Sequence, residues 1–94
     1  MGKTWKAAER KVAQLLDGER VGCTGKPTPD VVTNTLAVEV KHQKRLPNWL
    51  KDAVDQAEAN AGTLTAVTVL HERGQRYTDA LALVRLDTLR RLVE

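Results

Sequence analysis

Asp30, Glu39 and Lys41 are the residues of this chain whose types and spacing are best suited to chemistry. Glu39 and Lys41 stand two apart in the stretch TLAVEVKHQK, where Leu36, Val38 and Val40 alternate with Ala37, Glu39 and Lys41. That is the period-2 pattern of a strand, so the acid and the base project from one face while the other face is apolar. Asp30 precedes Glu39 by nine positions, with a polar turn around Asn34 and Thr35 between them. A hairpin with a two- or four-residue loop sets positions 30 and 39 directly opposite each other, with Cβ atoms ~4.5–5.5 Å apart. Like charges in that arrangement repel, and a divalent cation is the simplest agent to offset them. Mg2+ takes one or two carboxylates, several waters and a substrate phosphate, which matches this pair. Lys41, one pleat along, is placed to stabilise charge on a phosphate or to orient an attacking water. An exposed hairpin face, with the register off by one and the acids apart, fits the same spacing.

These residues need elements to hold them. Residues 4–17 read as a helix capped by Thr4, with Trp5, Glu9, Val12, Ala13 and Leu16 on one stripe and Gly18 just past its end. Glu9 therefore interrupts an otherwise apolar face, where an unpaired carboxylate is expensive to bury. A boundary glutamate reaching solvent explains it alone; beside Asp30 and Glu39 it reads as a third metal-proximal acid. Residues 19–29 form a short extended piece and a loop, followed by strands at 30–33 and 36–43. Pro47 opens a second helix running to Ala61, stopped by Gly62, with Leu50, Ala53, Val54, Ala57 and Ala61 as its buried stripe. Strands at 63–70 and 80–86 follow, and Asp87 is expected to cap a last short helix. The order αβββαββα, with no repeat and no linker, predicts a single α/β domain over 1–94 with a mixed sheet flanked by helices.

The combination of Pro29-Asp30, Glu39-Val40-Lys41 and a helical Glu9 resembles the PD-(D/E)xK nuclease superfamily. Within it, the arrangement is most similar to archaeal-type and phage Holliday junction resolvases, over nearly the whole chain. The resemblance implies a restriction-endonuclease-like core and Mg2+-dependent hydrolysis of DNA phosphodiesters, with Mn2+ able to substitute. It further implies a homodimer that presents two active sites to branched DNA. Carried over by position, Asp30 and Glu39 are metal ligands, Lys41 the catalytic lysine and Glu9 an accessory acid. The chain is shorter than usual for resolvases, which bears on junction selection and not on the cleavage centre. Nucleases for flaps, nicks or duplex DNA share these motifs, and a non-catalytic DNA-binding module can keep the fold.

Fifteen Lys and Arg against twelve Asp and Glu give a net charge of +3, a mild lean toward anionic partners. Lys44 and Arg45 follow the E-x-K strand, and Arg73 and Arg76 sit on a separate polar loop. None has a pattern of base readout, so phosphate contacts are expected. Gln43 shares the expected strand face with Lys41 and could hydrogen-bond the site. Lys26 follows Gly22, Thr24 and Gly25 in a loop whose backbone N–H groups and lysine could contact a phosphate, though it lacks the P-loop pattern. Tyr77 could stack a base, and Trp49 is expected in core or dimer packing. The single Cys23 excludes disulfide frameworks and Cys-based zinc sites, and no membrane span is present. The basic, amphipathic start lacks a secretory pattern, so the expected location is cytoplasmic, in a host cell if phage-encoded.

Overall fold

The computed structural model describes residues 4–22 and 25–94. Cys23 and Thr24, and with them part of the proposed phosphate-cradling loop, lie outside the described residues. The elements are α1 (Thr4–Leu15), β1 (Glu19–Arg20), β2 (Val31–Val32), β3 (Ala37–Val38), α2 (Asn48–Ala61), β4 (Thr68–Leu70), a 3-10 turn (Tyr77–Asp79), β5 (Leu81–Leu83) and α3 (Leu86–Leu92). The mixed α/β character and the order of elements match the expectation. Residues up to Lys44 form one compact unit and those from Arg45 to Leu92 another.

In the first unit, α1 lies on an antiparallel meander ordered β1-β2-β3. Ala13, Leu16 and Val31 make its core, with Val31 fully buried. Thr4, the first described residue, is already helical. The helix ends in a Schellman arrangement: Gly18 N–H reaches Ala13 O at 2.8 Å and Asp17 N–H reaches Gln14 O at 3.4 Å. Asp17, with φ 55°, takes the left-handed position that the sequence pattern suggests for Gly18. Glycine at 18 serves close packing instead. A Cβ there would sit 2.5 Å from Val32 O and 2.8 Å from Thr33 Cγ2.

The second unit packs α2 against β4 of the antiparallel β4–β5 hairpin. Pro47 is the N-cap of α2; its carbonyl accepts from Leu50 and Lys51 N–H at 3.2 and 3.3 Å. The half-buried positions of α2 are Leu50, Ala53, Val54, Ala57 and Ala61, the expected stripe. Thr68 Oγ1 donates to Ala53 O at 3.4 Å, which ties the sheet to the helix. α3 starts at Leu86, because Leu89 N–H closes onto Arg85 O at 3.0 Å. Asp87 therefore lies inside the first turn, where its charge favours the helix N-terminus, and is not the cap.

Among the described residues the strands form two antiparallel sheets instead of the one mixed sheet expected. Each strand pairs with a neighbour in sequence, as antiparallel ladders allow and parallel ones, needing a crossover, do not. No described helix is long and apolar enough to cross a membrane.

Gly18→Ala should destabilise the protein by about 1–3 kcal/mol through overpacking, while Gly22→Ala, with open space around it, should be neutral. Urea midpoints of the two variants check this; equal midpoints would contradict it.

Arg85 hydrogen-bonds Glu58 at 2.8 and 2.9 Å and Asp55 at 3.0 Å, and Arg90 holds Asp87 at 2.6 Å. These hydrogen bonds hold the Glu58 and Asp87 carboxyls below the usual carboxylate range. With the folded values lowered, the stability they contribute is present above the unfolded-state range and is lost as pH falls through the folded values. Arg85→Leu should flatten the acid limb of a stability–pH curve measured down to about pH 3. An acid limb as steep as that of the wild type would contradict the linkage.

Candidate functional site

Asp30 sits at the lower end of the β2–β3 hairpin, and the turn above it is built by Thr33. Thr33 N–H donates to Leu36 O at 2.9 Å, while Thr33 Oγ1 accepts from Leu36 and Thr35 N–H at 2.9 and 3.2 Å. That closes a two-residue turn over Asn34-Thr35, as the spacing predicts. The register pairs Val32 with Ala37 and Val31 with Val38. Continued one step, it sets Asp30 opposite Glu39.

The ladder changes at that step. Asp30 N–H donates to Val38 O at 2.9 Å, so Asp30 and Val31 both oppose Val38, the two-against-one count of a bulge. Asp30 Oδ2 accepts from Val40 N–H at 2.8 Å, the amide between Glu39 and Lys41. A side chain thus replaces the strand partner. This is why β3 ends at Val38, short of the expected 43, and why Gln43 lies on no strand face. Side-chain burial still alternates from Leu36 to Lys41, so Glu39 and Lys41 share the exposed side.

Glu39 Oε2 lies 3.5 Å from Lys41 Nζ, with both side chains more than half exposed. Asp30 therefore has an N–H donor and Glu39 a cation, so each charge is offset locally. The repulsion read from the spacing is relieved without requiring a metal.

Glu9 is buried on α1, as its place in the stripe demands, and Arg20 of β1 supplies its counter-charge. Arg20 Nε donates to Glu9 Oε1 at 2.7 Å; the side chains are 24% and 9% exposed. No buried side-chain polar atom among the described residues lacks a hydrogen-bond partner. Arg20 was not legible as a site residue, although a carboxylate inside an apolar stripe requires a cation on a packed neighbour.

Glu9, Arg20, Lys26 and Asp30 line one groove of about 730 Å³, with Trp5 at its side. Glu39 and Lys41 do not line it. Among the described residues no group of three or more His, Cys, Asp or Glu is arranged to hold a metal ion. Lys44 and Arg45 are exposed and lie outside helix and strand, and Arg73 and Arg76 are exposed in the second unit. Trp49, expected in core or interface packing, is 61% exposed within the chain.

Comparison with protein-family models, with curated proteins and with solved structures found no match.

The buried pair makes a direct prediction. Arg20→Leu leaves Glu9 uncompensated and should cost about 3 kcal/mol, and Glu9→Leu in the same background should restore most of it. A double-mutant cycle by urea denaturation measures the coupling. A single Arg20→Leu variant as stable as the wild type would show that the pair carries no weight.

Proposed function

We propose that this chain is a Mg2+-dependent DNA endonuclease, most consistent with a Holliday junction resolvase. One observation carries the reading: the Asp30 carboxylate binds the Val40 amide, fixing one acid of the pair against the segment that presents Glu39 and Lys41. The restriction-endonuclease-like core remains part of this proposal.

The donor chemistry fits the cation. Asp30 and Glu39 offer hard carboxylate oxygens; Asp30 Oδ2 accepts from Val40 N–H, and Glu39 is held only loosely by Lys41. Two such groups, completed by water and a DNA phosphate, are what Mg2+ prefers. Asp30 and Glu39 would hold it, with Glu9 as accessory acid across the groove that it shares with Asp30. Bound there, Mg2+ would supply Lewis-acid stabilisation of the charge that builds on the phosphate.

The chain's own groups have distinct tasks. Val40 N–H fixes the orientation of Asp30. Lys41 presents its ammonium to the phosphate oxygens as water attacks phosphorus and the ester oxygen leaves. Arg20 donates to Glu9 and fixes its carboxylate at the groove. Lys26, Lys44, Arg45, Arg73 and Arg76 would grip the DNA backbone without reading sequence. A homodimer suits the paired cuts that junction resolution needs, and the exposed Leu64, Val69 and Leu81 leave apolar surface for association.

Matched four-way and linear DNA, incubated with and without Mg2+, test this reading. The wild type should cut only with Mg2+ and should prefer the junction. Lys41→Ala should lose roughly 100- to 1,000-fold in rate, and Asp30→Asn and Glu39→Gln should fall to background with the fold retained. Equal cutting of linear DNA would indicate a flap, nick or duplex nuclease. Metal-independent binding without cutting would indicate a DNA-binding module. Retained cutting by Asp30→Asn would sink the catalytic assignment.

A further inference from the structure

The connection between β4 and β5 is braced more heavily than a solvated loop requires. Gly74 turns it with φ 86°. Gln75 N–H donates to Glu72 O at 3.0 Å, and Gln75 Oε1 accepts from Glu72 N–H at 3.3 Å. His71 Nε2 stands 2.7 Å from Gln75 O; a carbonyl only accepts, so this nitrogen carries the hydrogen. The 3-10 turn at Tyr77–Asp79 closes the far side, and Arg76 Nε bonds Asp79 at 3.1 Å.

This bracing positions one ring. Tyr77 stacks on His71 with centroids 4.0 Å apart and planes 7° from parallel. Yet Tyr77 is 80% exposed, so the stack covers one face and leaves the other open to water. Beside it, Trp49, His71 and Leu81 line a groove of about 500 Å³. Arg73, on the same loop, makes no ion pair among the described residues. An open, pre-oriented aromatic face next to an aromatic groove and an unpaired guanidinium complements a flat π system joined to an anion.

We propose that Tyr77, backed by His71, is a stacking platform for an unpaired base of single-stranded DNA, with Arg73 on the adjacent phosphate. Stacking tolerates any sequence because every base has a π face. The His71 stack fixes the Tyr77 ring beforehand, which lowers the ordering cost of binding. The proposal rests on the nucleic-acid side of the reading above but not on cleavage, since none of these residues belongs to the hairpin site.

The test uses the whole chain without divalent metal and a short fluorescein-labelled oligothymidylate, followed by anisotropy. An abasic strand of equal length is the control for phosphate contacts alone. Tyr77→Ala should weaken thymidylate binding roughly 5- to 100-fold, and Tyr77→Phe should stay within about twofold of the wild type. The wild type should bind the abasic strand no better than Tyr77→Ala binds thymidylate. Arg73→Ala should weaken both strands alike.

Unchanged thymidylate affinity in Tyr77→Ala, or equal wild-type affinity for the two strands, would overturn the platform. So would a wild type that binds neither. Loss of self-association in Tyr77→Ala by sedimentation, with affinity unchanged, would overturn it too and assign the ring to contact between copies. Cutting of four-way DNA by the wild type alongside unchanged Tyr77→Ala binding would remove the platform and keep the nuclease. Tyr77-dependent binding without cutting would do the reverse.

Discussion

Asp30 binds three segments at once. Its carbonyl accepts from Val21 at 2.9 Å, its N–H donates to Val38 at 2.9 Å, and its carboxylate takes the Val40 amide at 2.8 Å. The first bond continues the β1–β2 pairing and the second closes the hairpin. The third positions a segment that no strand pairs with. Glu39 and Lys41 owe their placement to a side chain, because the backbone ladder has already stopped. A buried or half-buried amide must find an acceptor, and here the acceptor is itself a candidate ligand. Asparagine at 30 keeps an acceptor for Val40 but removes the charge, whereas alanine removes both. Structure and chemistry at this position are therefore separable.

Glu9 and Arg20 impose the second constraint on the same unit. With Ala13, Leu16 and Val31 as its buried apolar residues, the core is thin, and a carboxylate inside it is tolerable only when paired. The pair joins α1 to β1 and fixes one wall of the groove that Asp30 completes. The helix end depends on similar close fits. Asp17 takes the left-handed turn so that Gly18 can pass within van der Waals contact of Val32.

Local patterns in the sequence resolved much of this. The small-residue stripe of α2, its start after Pro47 and the turn at Asn34-Thr35 all follow from periodicity and turn chemistry over a few residues. The hairpin register at Val32–Ala37 and Val31–Val38 followed from the turn, but the bulge takes Asp30 off the position facing Glu39. Other features depended on partners distant in sequence. Arg20 lies eleven residues from Glu9, and nothing in the spacing marks it as the counter-ion. The bulge at Asp30 could not be read, because a side chain standing in for a ladder bond leaves alternation intact while ending the strand. Gly18 looked like a helix stop, but its role is set by Val32 across the packing. Asp87 looked like a cap, while Arg85 O accepts the first helical bond. The expected mixed sheet required strand pairings between elements far apart in the chain, which no local pattern specifies.

The proposed nuclease depends on a divalent cation held by Asp30 and Glu39 on the hairpin. Titration of Mn2+ into isotope-labelled protein, followed through amide resonances, tests it without DNA or turnover. Paramagnetic broadening should begin at Asp30, Glu39 and Val40, reach Glu9 more weakly and vanish in Asp30→Asn. Broadening that begins at other acidic residues, or that persists unchanged in Asp30→Asn, would rule out a cation site at this hairpin.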